Sequence, residues 1–326
     1  MWSLIPEDNV ELFLLKITDS SRVLEQSSIW LTGGRGFIGS HLVEKLTERN
    51  FSNVTCLVNQ NVGDPGVRHI SERITQVFIN FENLKHLIWL SASPLLIEPN
   101  YLLLAGWGDV GHPNLIAHET ENVSSVVNLF SSIPKTHLKK TIFFGSIDEY
   151  GNRCGCISED TPPIPPLSIY AKGKTLASSK LNEIANCTNL EIQHCYISNV
   201  YGPRQRKSTL LSQMKNSDSF KFSGENYYRD YIYVENLVDI ILFLIQSDSN
   251  YKVNIGSGVS THCYDYVRTA WRLMNKNPDN LSFSYPEIRD LSQEKFFDIS
   301  RIQSLISNNV EIDSIDSGLI KTVARL

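Results

Sequence analysis

The sequence predicts a doubly wound α/β fold, a parallel sheet with helices on both faces, joined to a smaller C-terminal lobe. Three observations predict it. The stretch WLTGGRGFIGSHLVEKL, Trp30 to Leu46, places Gly33, Gly36 and Gly39 between an apolar strand and an amphipathic run. From Ile29 onward, apolar strands and amphipathic helices alternate, the pattern of parallel strands with crossover helices. After Pro203 the alternation loosens. Residues 28–200 therefore read mainly as the doubly wound domain, 201–326 mainly as a second lobe interleaved with the sheet, and 1–27 as an extension.

Composition narrows the class. Of 326 residues, 41% are hydrophobic and 20% charged, which suits a soluble globular chain with ample core. Lys and Arg number 30 against 35 Asp and Glu, a net charge of −5. With no basic surplus, neither nucleic acid nor an anionic membrane is an expected partner. No apolar run is long enough to cross a bilayer; Ile241 to Ile245 is far too short. No basic start leads into an apolar run, so no signal peptide is read and a cytoplasmic location is expected. Six cysteines do not suggest a disulfide framework; Cys154 and Cys156 form a CxC without a second pair and read as free thiols.

In chain order, Val10, Phe13, Leu14 and Ile17 have helical spacing and suggest a short amphipathic helix in the extension. The first strand ends at Thr32. Residues 53–58 (NVTCLV) and 74–79 (ITQVFI) read as the second and third strands, and HLIWLSAS, from His86 to about Ser93, as the fourth. The gap before this fourth strand is too short for a full crossover helix. A loop rich in Pro and Gly then runs from Pro94 to Pro113, long enough to suggest a ligand cover. Val123, Val126, Val127 and Phe130 mark a helix, and Thr141 to Ser146 a fifth strand. Past the PPIPP break at 162–166 comes a helix with Tyr170 and Lys174, then a strand to about Ser198. Leu237 to Ile245 reads as a buried helix and KVNIG as a short strand. Val267, Ala270, Trp271 and Met274 mark another helix, with final candidates at 302–306 and 319–323.

The chemistry starts at the glycines. A strand-to-helix turn needs a residue without Cβ. A second glycine lets backbone N–H groups approach a pyrophosphate, and a third lets the helix pack on the strand with its N-terminus toward the phosphates. The bland alternative is a glycine turn that binds nothing. Tyr170 and Lys174, four apart, share one helix face. An ammonium near a phenol favours the phenolate, so the tyrosine could exchange a proton with a hydroxyl or carbonyl near neutral pH. Ser146, at the end of a strand, could hold the same oxygen.

On these residues the chain resembles an extended short-chain dehydrogenase/reductase of the nucleotide-sugar epimerase/dehydratase group. Thr32-Gly33-Gly34-Arg35-Gly36-Phe37-Ile38-Gly39 is similar to that family's cofactor loop. Ile88 to Ala92, with Leu90, resembles its fourth strand, and Asn122 its central-helix asparagine. Ser146, Tyr170 and Lys174 match its catalytic trio. Residues 199–203 (NVYGP), 229–234 (RDYIYV) and 254–258 (NIGSG) match later motifs. The resemblance implies a Rossmann sheet that binds a nicotinamide dinucleotide through Gly33, Arg35, Gly36, Phe37, Ile38, Gly39, Asn59, Leu90, Asn122, Tyr170 and Lys174. It also implies hydride exchange with a sugar carbon, commonly C4. Tyr170 handles the proton, and Lys174 tunes the tyrosine and holds the nicotinamide ribose. The partner is a nucleotide-diphosphate sugar held in the C-terminal lobe. Asn199 and Arg229 would touch it, with Arg289 as a looser second phosphate arginine; bottom-up, a guanidinium fork suits a diphosphate. A homodimer through the helices near Asn122 and Tyr170 is the family expectation. No metal ligand set is read.

Three departures narrow the activity. Ile147 stands where the family's 4,6-dehydratases carry the aspartate of an Asp-Glu pair, and it cannot donate a proton; Asp148 and Glu149 then read as solvated or structural. After the second strand the chain has Asn59-Gln60-Asn61 instead of an acid for the ribose 2′-hydroxyl. Arg35 could meet a 2′-phosphate there, or be a solvated loop residue. NADP(H) is favoured and NAD(H) possible. Asn80, where relatives often have aspartate, can still bond an adenine. The leading expectation is an NADPH-dependent 4-ketoreductase acting on a nucleotide-linked 4-keto-6-deoxy sugar, a donor for surface polysaccharide. An NAD-dependent 4-epimerase and a non-catalytic dinucleotide-binding protein are the alternatives.

Overall fold

Six parallel strands and the helices between them organise the first of two units into which the chain divides. The computed structural model describes residues 14–15, 25–49, 51–59, 74–93, 96–165, 167–224, 227–247, 249–306 and 310–326. The first unit takes in residues up to Glu149, with Leu167–Cys195 and Ile245–Lys252; the second takes in Tyr150–Pro166, Tyr196–Leu244 and Val253–Leu326. The division falls at Tyr196 rather than at residue 201, and residues 150–166 go with the second unit.

The strands are β1 (Glu25–Thr32), β2 (Phe51–Asn59), β3 (Thr75–Ile79), β4 (Tyr101–Leu104), β5 (Lys140–Phe144) and β6 (Ile192–Ile197). Their spatial order is β3-β2-β1-β4-β5-β6, each neighbour parallel. Covered on both faces, β4 and β5 need unbroken apolar runs, which YLLL and TIFF provide. Past Cys195, β6 runs into the second unit, where Val253–Ile255 lies beside it.

Helices α1 (Phe37–Glu48), α2 (Leu84–Ala92), α3 (Glu121–Ser132) and α4 (Ile169–Thr188) make the crossovers. Val123, Val126, Leu129 and Phe130 of α3 and Ala177, Leu181 and Ala185 of α4 join Trp30, Leu102, Leu104 and Phe143 in one buried cluster. Each large side chain there contributes about 1.5–3 kcal/mol by leaving water. α4 begins at Ser168, whose hydroxyl accepts the Ala171 N–H at 3.1 Å, and ends at Asn189 in the left-handed conformation, φ 57°. The strand order reverses between β1 and β4, so a ligand crevice is expected at the carboxyl ends of these two strands.

Two expectations are corrected. HLIWLSAS is not the fourth strand: it is α2, the crossover helix that seemed too short to fit. Asn83 starts it, its side chain accepting the Lys85 N–H at 3.0 Å. The fourth strand is YLLL, inside the stretch read as a loop. Leu90 consequently lies on α2 and faces the core, 1% exposed. Short apolar runs do not distinguish helix from buried strand by periodicity, and the asparagine cap was the missed signal. In the extension, Leu14–Leu15 pairs antiparallel with Val77 and Gln76 of β3 instead of lying in a helix; Val10, Phe13 and Ile17 lie outside the described residues, as do Gln60 and Asn61.

In the second unit, β7 (Asn199–Tyr201), β8 (Tyr228–Tyr233) and β9 (Ser260–His262) form a sheet in the order β9-β8-β7. Its key residue is Asp230, fully buried on β8. The carboxylate accepts from Ser257 N and Oγ at 2.7 and 2.8 Å, Gly258 N at 3.1 Å and Phe297 N at 3.2 Å. The Arg-Asp-Tyr and NIGSG motifs are thus two halves of one structural device. A Cβ at Gly256 would lie 2.4 Å from Asp230 Oδ2.

Candidate active site

At the carboxyl end of β1 the backbone itself forms a cradle. Gly33 has φ +73°, and a Cβ there would lie 2.7 Å from Gly106 Cα, which follows β4. A Cβ on Gly39 would lie 2.1 Å from the Gly33 carbonyl oxygen. Gly36 donates its N–H to that carbonyl at 2.8 Å and starts α1 with no side-chain cap. These close backbone approaches press the loop onto the first turn of α1 and leave its N–H groups without a side-chain cap, the backbone arrangement a pyrophosphate requires. These residues fit the dinucleotide. Phe37 and Ile38 open α1. Arg35 donates to Gln76 Oε1 at 3.1 and 3.3 Å and lies 4.7 Å from the centre of the Phe78 ring. It is anchored on β3, whose Ile79 pairs with Asn59 at the end of β2.

Asn122 fastens the loop after β4: its Oδ1 accepts the Gly108 N–H at 3.0 Å, and its Nδ2 donates to His118 Nδ1 at 3.1 Å. Trp107 Nε1 also donates to His118 Nδ1, at 3.0 Å, and the His112 carbonyl 3.0 Å from Nε2 places the imidazole proton there. The loop is tied to α4 as well. Tyr170 donates its N–H to Pro113 O at 2.9 Å, and a Cβ on Gly173 would collide with His118 O at 2.1 Å.

The structure brings Ser146, Tyr170 and Lys174 together in this unit. Ser146 follows β5, and the other two lie one turn apart on α4. Lys174 is buried. Its ammonium donates to the Phe144 carbonyl at 2.7 Å and sits 4.1 Å from the centre of the Trp107 ring. Burial lowers its pKa to about 7, while Glu149 pulls it back up. The Tyr170 ring meets Trp107 and His118 edge to face, at 6.4 and 5.3 Å. Burial raises the phenol's pKa, as do Asp148 and Glu149, with a Ser146 hydrogen bond working the other way. This corrects the expected tuning. Lys174 donates to a carbonyl and lies against Trp107, 5.9 Å from the centre of the Tyr170 ring, and it is not among the groups that lower the phenol's pKa.

The Asp148–Glu149 pair divides. Asp148 is exposed, and its N–H donates to Ser146 Oγ at 3.2 Å. Glu149 is buried. Its Oε1 accepts the Ser146 N–H at 2.8 Å and lies 3.2 Å from His194 Nε2. Ile147 is buried, where an acid would be expected for dehydration.

In the second unit, Asn199 and Arg229 line one cavity of about 420 Å³, with Gln205, Tyr227, Tyr231 and Tyr266. Pairing of Asn199 with Tyr231, and the period of two along β8, put Asn199, Arg229 and Tyr231 close together. Tyr231 and Tyr266 stack at 4.4 Å, 10° from parallel, and the Arg229 guanidinium lies 4.5 Å from the Tyr227 ring centre. Arg289 is not in the cavity lining. It is half-exposed and bonded to Asp265 at 2.7 and 2.9 Å and to Glu287 at 2.6 Å. Its guanidinium is already neutralised.

Trp107, His118, Glu149 and His194 escaped the sequence reading as site residues. A tryptophan between two glycines in a loop was the one available signal; the Glu149–His194 pairing spans 45 positions and left none.

The model of the NAD dependent epimerase/dehydratase family matches residues 29–256. The UDP-glucose 4-epimerase of Thermotoga maritima is 23% identical, with 91% of this chain and 98% of that one covered and a TM-score of 0.77. The UDP-N-acetylglucosamine 4-epimerase of Methanobrevibacter ruminantium M1 is 22% identical, with 91% and 97% covered and a TM-score of 0.76. TunA, an NAD-dependent NDP-hexosamine 5,6-dehydratase of tunicamycin biosynthesis, is 22% identical, with 92% and 97% covered and a TM-score of 0.71. At these identities the likeness is one of fold.

Proposed function

Because the chain belongs to the NAD dependent epimerase/dehydratase family, we propose that it reduces a nucleotide-linked 4-keto-6-deoxy sugar with NADPH, yielding a deoxysugar donor for surface polysaccharide. The observation that carries an oxidoreductase reading is the convergence of Ser146, Tyr170 and Lys174 in the unit that bears the Gly33–Gly39 cradle. In the reductive direction Tyr170, hydrogen-bonded by Ser146, is the group that donates to a carbonyl oxygen. A phosphorylated ribose is supported by Arg35, held on Gln76 and Phe78, together with the amide of Asn59 in place of a carboxylate. The buried Ile147 argues against elimination of water.

When bound, the nicotinamide supplies the hydride. The chain does the rest. The cradle and the first turn of α1 hold the pyrophosphate. Lys174, fixed by the Phe144 carbonyl and the Trp107 face, would hold the nicotinamide ribose. Ser146 and Tyr170 share the sugar carbonyl oxygen, and Tyr170 gives it a proton. The Arg229 guanidinium of the second unit suits a diphosphate, and the tyrosines of its cavity offer flat surfaces to a base. Two copies associate through α3 and α4.

The second reading is a 4-epimerase, favoured by the same trio and by UDP-sugar 4-epimerases among the similar structures. Denaturing fresh protein, identifying any released nucleotide and titrating the apoprotein with NADPH and NADH separates the two. Exchangeable binding with NADPH preferred is expected. Tightly retained NAD would replace the reductase with the epimerase.

A further inference from the structure

Beneath the trio lies a buried relay that the proposed chemistry does not use. Glu149 and His194 have side chains 5% and 4% exposed. Ser178, on α4, lies 2.8 Å from His194 Nδ1, and His194 Nε2 faces Glu149 Oε1 at 3.2 Å. A carboxylate only accepts, so Nε2 carries the proton and Ser178 donates to Nδ1. Glu149 Oε1 therefore takes two N–H groups, from His194 and from the Ser146 backbone at 2.8 Å. The relay passes so close to β5 that Gly145 has no room for a side chain. A Cβ there would lie 2.2 Å from His194 Nε2 and 2.6 Å from Glu149 Oε1. Three elements thus converge to hold one carboxylate beside Ser146.

We propose that Glu149 is the fixed counter-charge of Lys174 and the group that aims Ser146: a positioning residue, held by His194 and Ser178. This rests on reading Ser146, Tyr170 and Lys174 as the oxidoreductase site. The groups facing Lys174 are the Phe144 carbonyl and Phe143 ring of β5, Trp107 of the loop and Tyr170 of its own helix; Glu149, bonded to the Ser146 N–H two positions past that carbonyl, acts on it through its charge. Those bonded to Glu149 are Ser146 and His194, and its charge also acts on Lys174 and Tyr170. Of the groups around Lys174, Glu149 is the one whose charge favours the ammonium, which burial alone would discharge.

Glu149→Gln tests this. The amide oxygen still accepts both N–H groups, so shape persists and charge goes. The holo and apo proteins are labelled with 13C at lysine Cε, Lys174 is located by its loss in Lys174→Arg, and its protonation midpoint is followed across neutral pH. In Glu149→Gln the midpoint falls by about one pH unit, roughly tenfold in the protonation equilibrium, and the alkaline limb of turnover moves with it at constant KM for the sugar nucleotide. An unmoved Lys174 midpoint overturns the proposal. Should Glu149→Gln not fold, Glu149→Met removes the same charge with a side chain of similar length and lowers the Lys174 midpoint likewise; no shift there is equally decisive against it. The midpoint is read without substrate, so a shifted Lys174 in a protein that reduces no sugar nucleotide leaves Glu149 as the counter-charge and removes only the catalytic reading.

Discussion

Gly39→Ala isolates the contribution of the cradle to cofactor binding. The added methyl would lie 2.1 Å from the Gly33 carbonyl oxygen, 2.7 Å from its carbon and 2.8 Å from Gly34 Cα. Ordinary contact begins near ~3.4 Å, so α1 and the loop must part by about 1 Å. All the colliding atoms are backbone, so no side chain can rotate aside. Overpacking of this kind costs about 1–3 kcal/mol of stability. The larger effect falls on the ligand, because the first-turn N–H groups of α1 retreat from the pyrophosphate. Losing about 1.4–2.8 kcal/mol of that interaction raises Kd roughly ten- to a hundredfold. Calorimetric titration with NADPH reads it. Gly155→Ala is the control: φ is +81° but nothing lies within 4 Å, so it costs about 1–2 kcal/mol of backbone strain in the second unit and leaves Kd unchanged. If Gly39→Ala binds NADPH as tightly as the native chain, the cradle is not where the pyrophosphate sits.

Tyr170→Phe keeps the ring packing on Trp107 and His118 but removes the proton donor; turnover should fall at least ~100-fold with cofactor affinity within about twofold, read by steady-state kinetics and titration. Arg35→Gln should cut the NADPH-over-NADH preference by about tenfold, an effect on the ratio of the two Kd values that a merely solvated arginine would not produce. Lys174 predicts a pH dependence of stability. Its ammonium persists in the unfolded chain up to about pH 10.4, whereas in the folded chain it is lost near about 7. Between these values the unfolded state holds the extra proton, so stability rises with pH. Lys174→Met should flatten that rise, as measured by denaturant midpoints on the two sides of pH 8.

The sequence carried the strand-turn-helix around Gly33 because its requirement is local: a missing Cβ, then an amphipathic run. It carried the helix of Tyr170 and Lys174 for the same reason. HLIWLSAS went wrong because a short apolar run fits a helix and a buried strand alike, and only tertiary packing decided between them. Arg229 and Asn199 were found from motif likeness, yet the same motif's Asp230 is a buried anchor for Ser257, Gly258 and Phe297, which no local pattern reveals. Arg289 was legible as a cation but not as one already bonded to Asp265 and Glu287. The environment of Lys174 was the largest surprise. Trp107, 67 positions earlier, supplies its aromatic face, and Glu149 its counter-charge, so the expected Tyr–Lys tuning could not be judged from a spacing of four.

In the proposed reaction Tyr170 and its neighbours govern hydride delivery to a sugar carbonyl. The most direct measurement uses NADPH deuterated at the transferring position of the nicotinamide, with a nucleotide-linked 4-keto-6-deoxy sugar and the native protein, and locates the label by mass and NMR. One deuterium at C4 of the product is expected for each NADPH consumed, with labelling by Tyr170→Phe at least ~100-fold lower over the same interval. Consumption of NADPH without label in the sugar, or equal labelling by Tyr170→Phe, would contradict it.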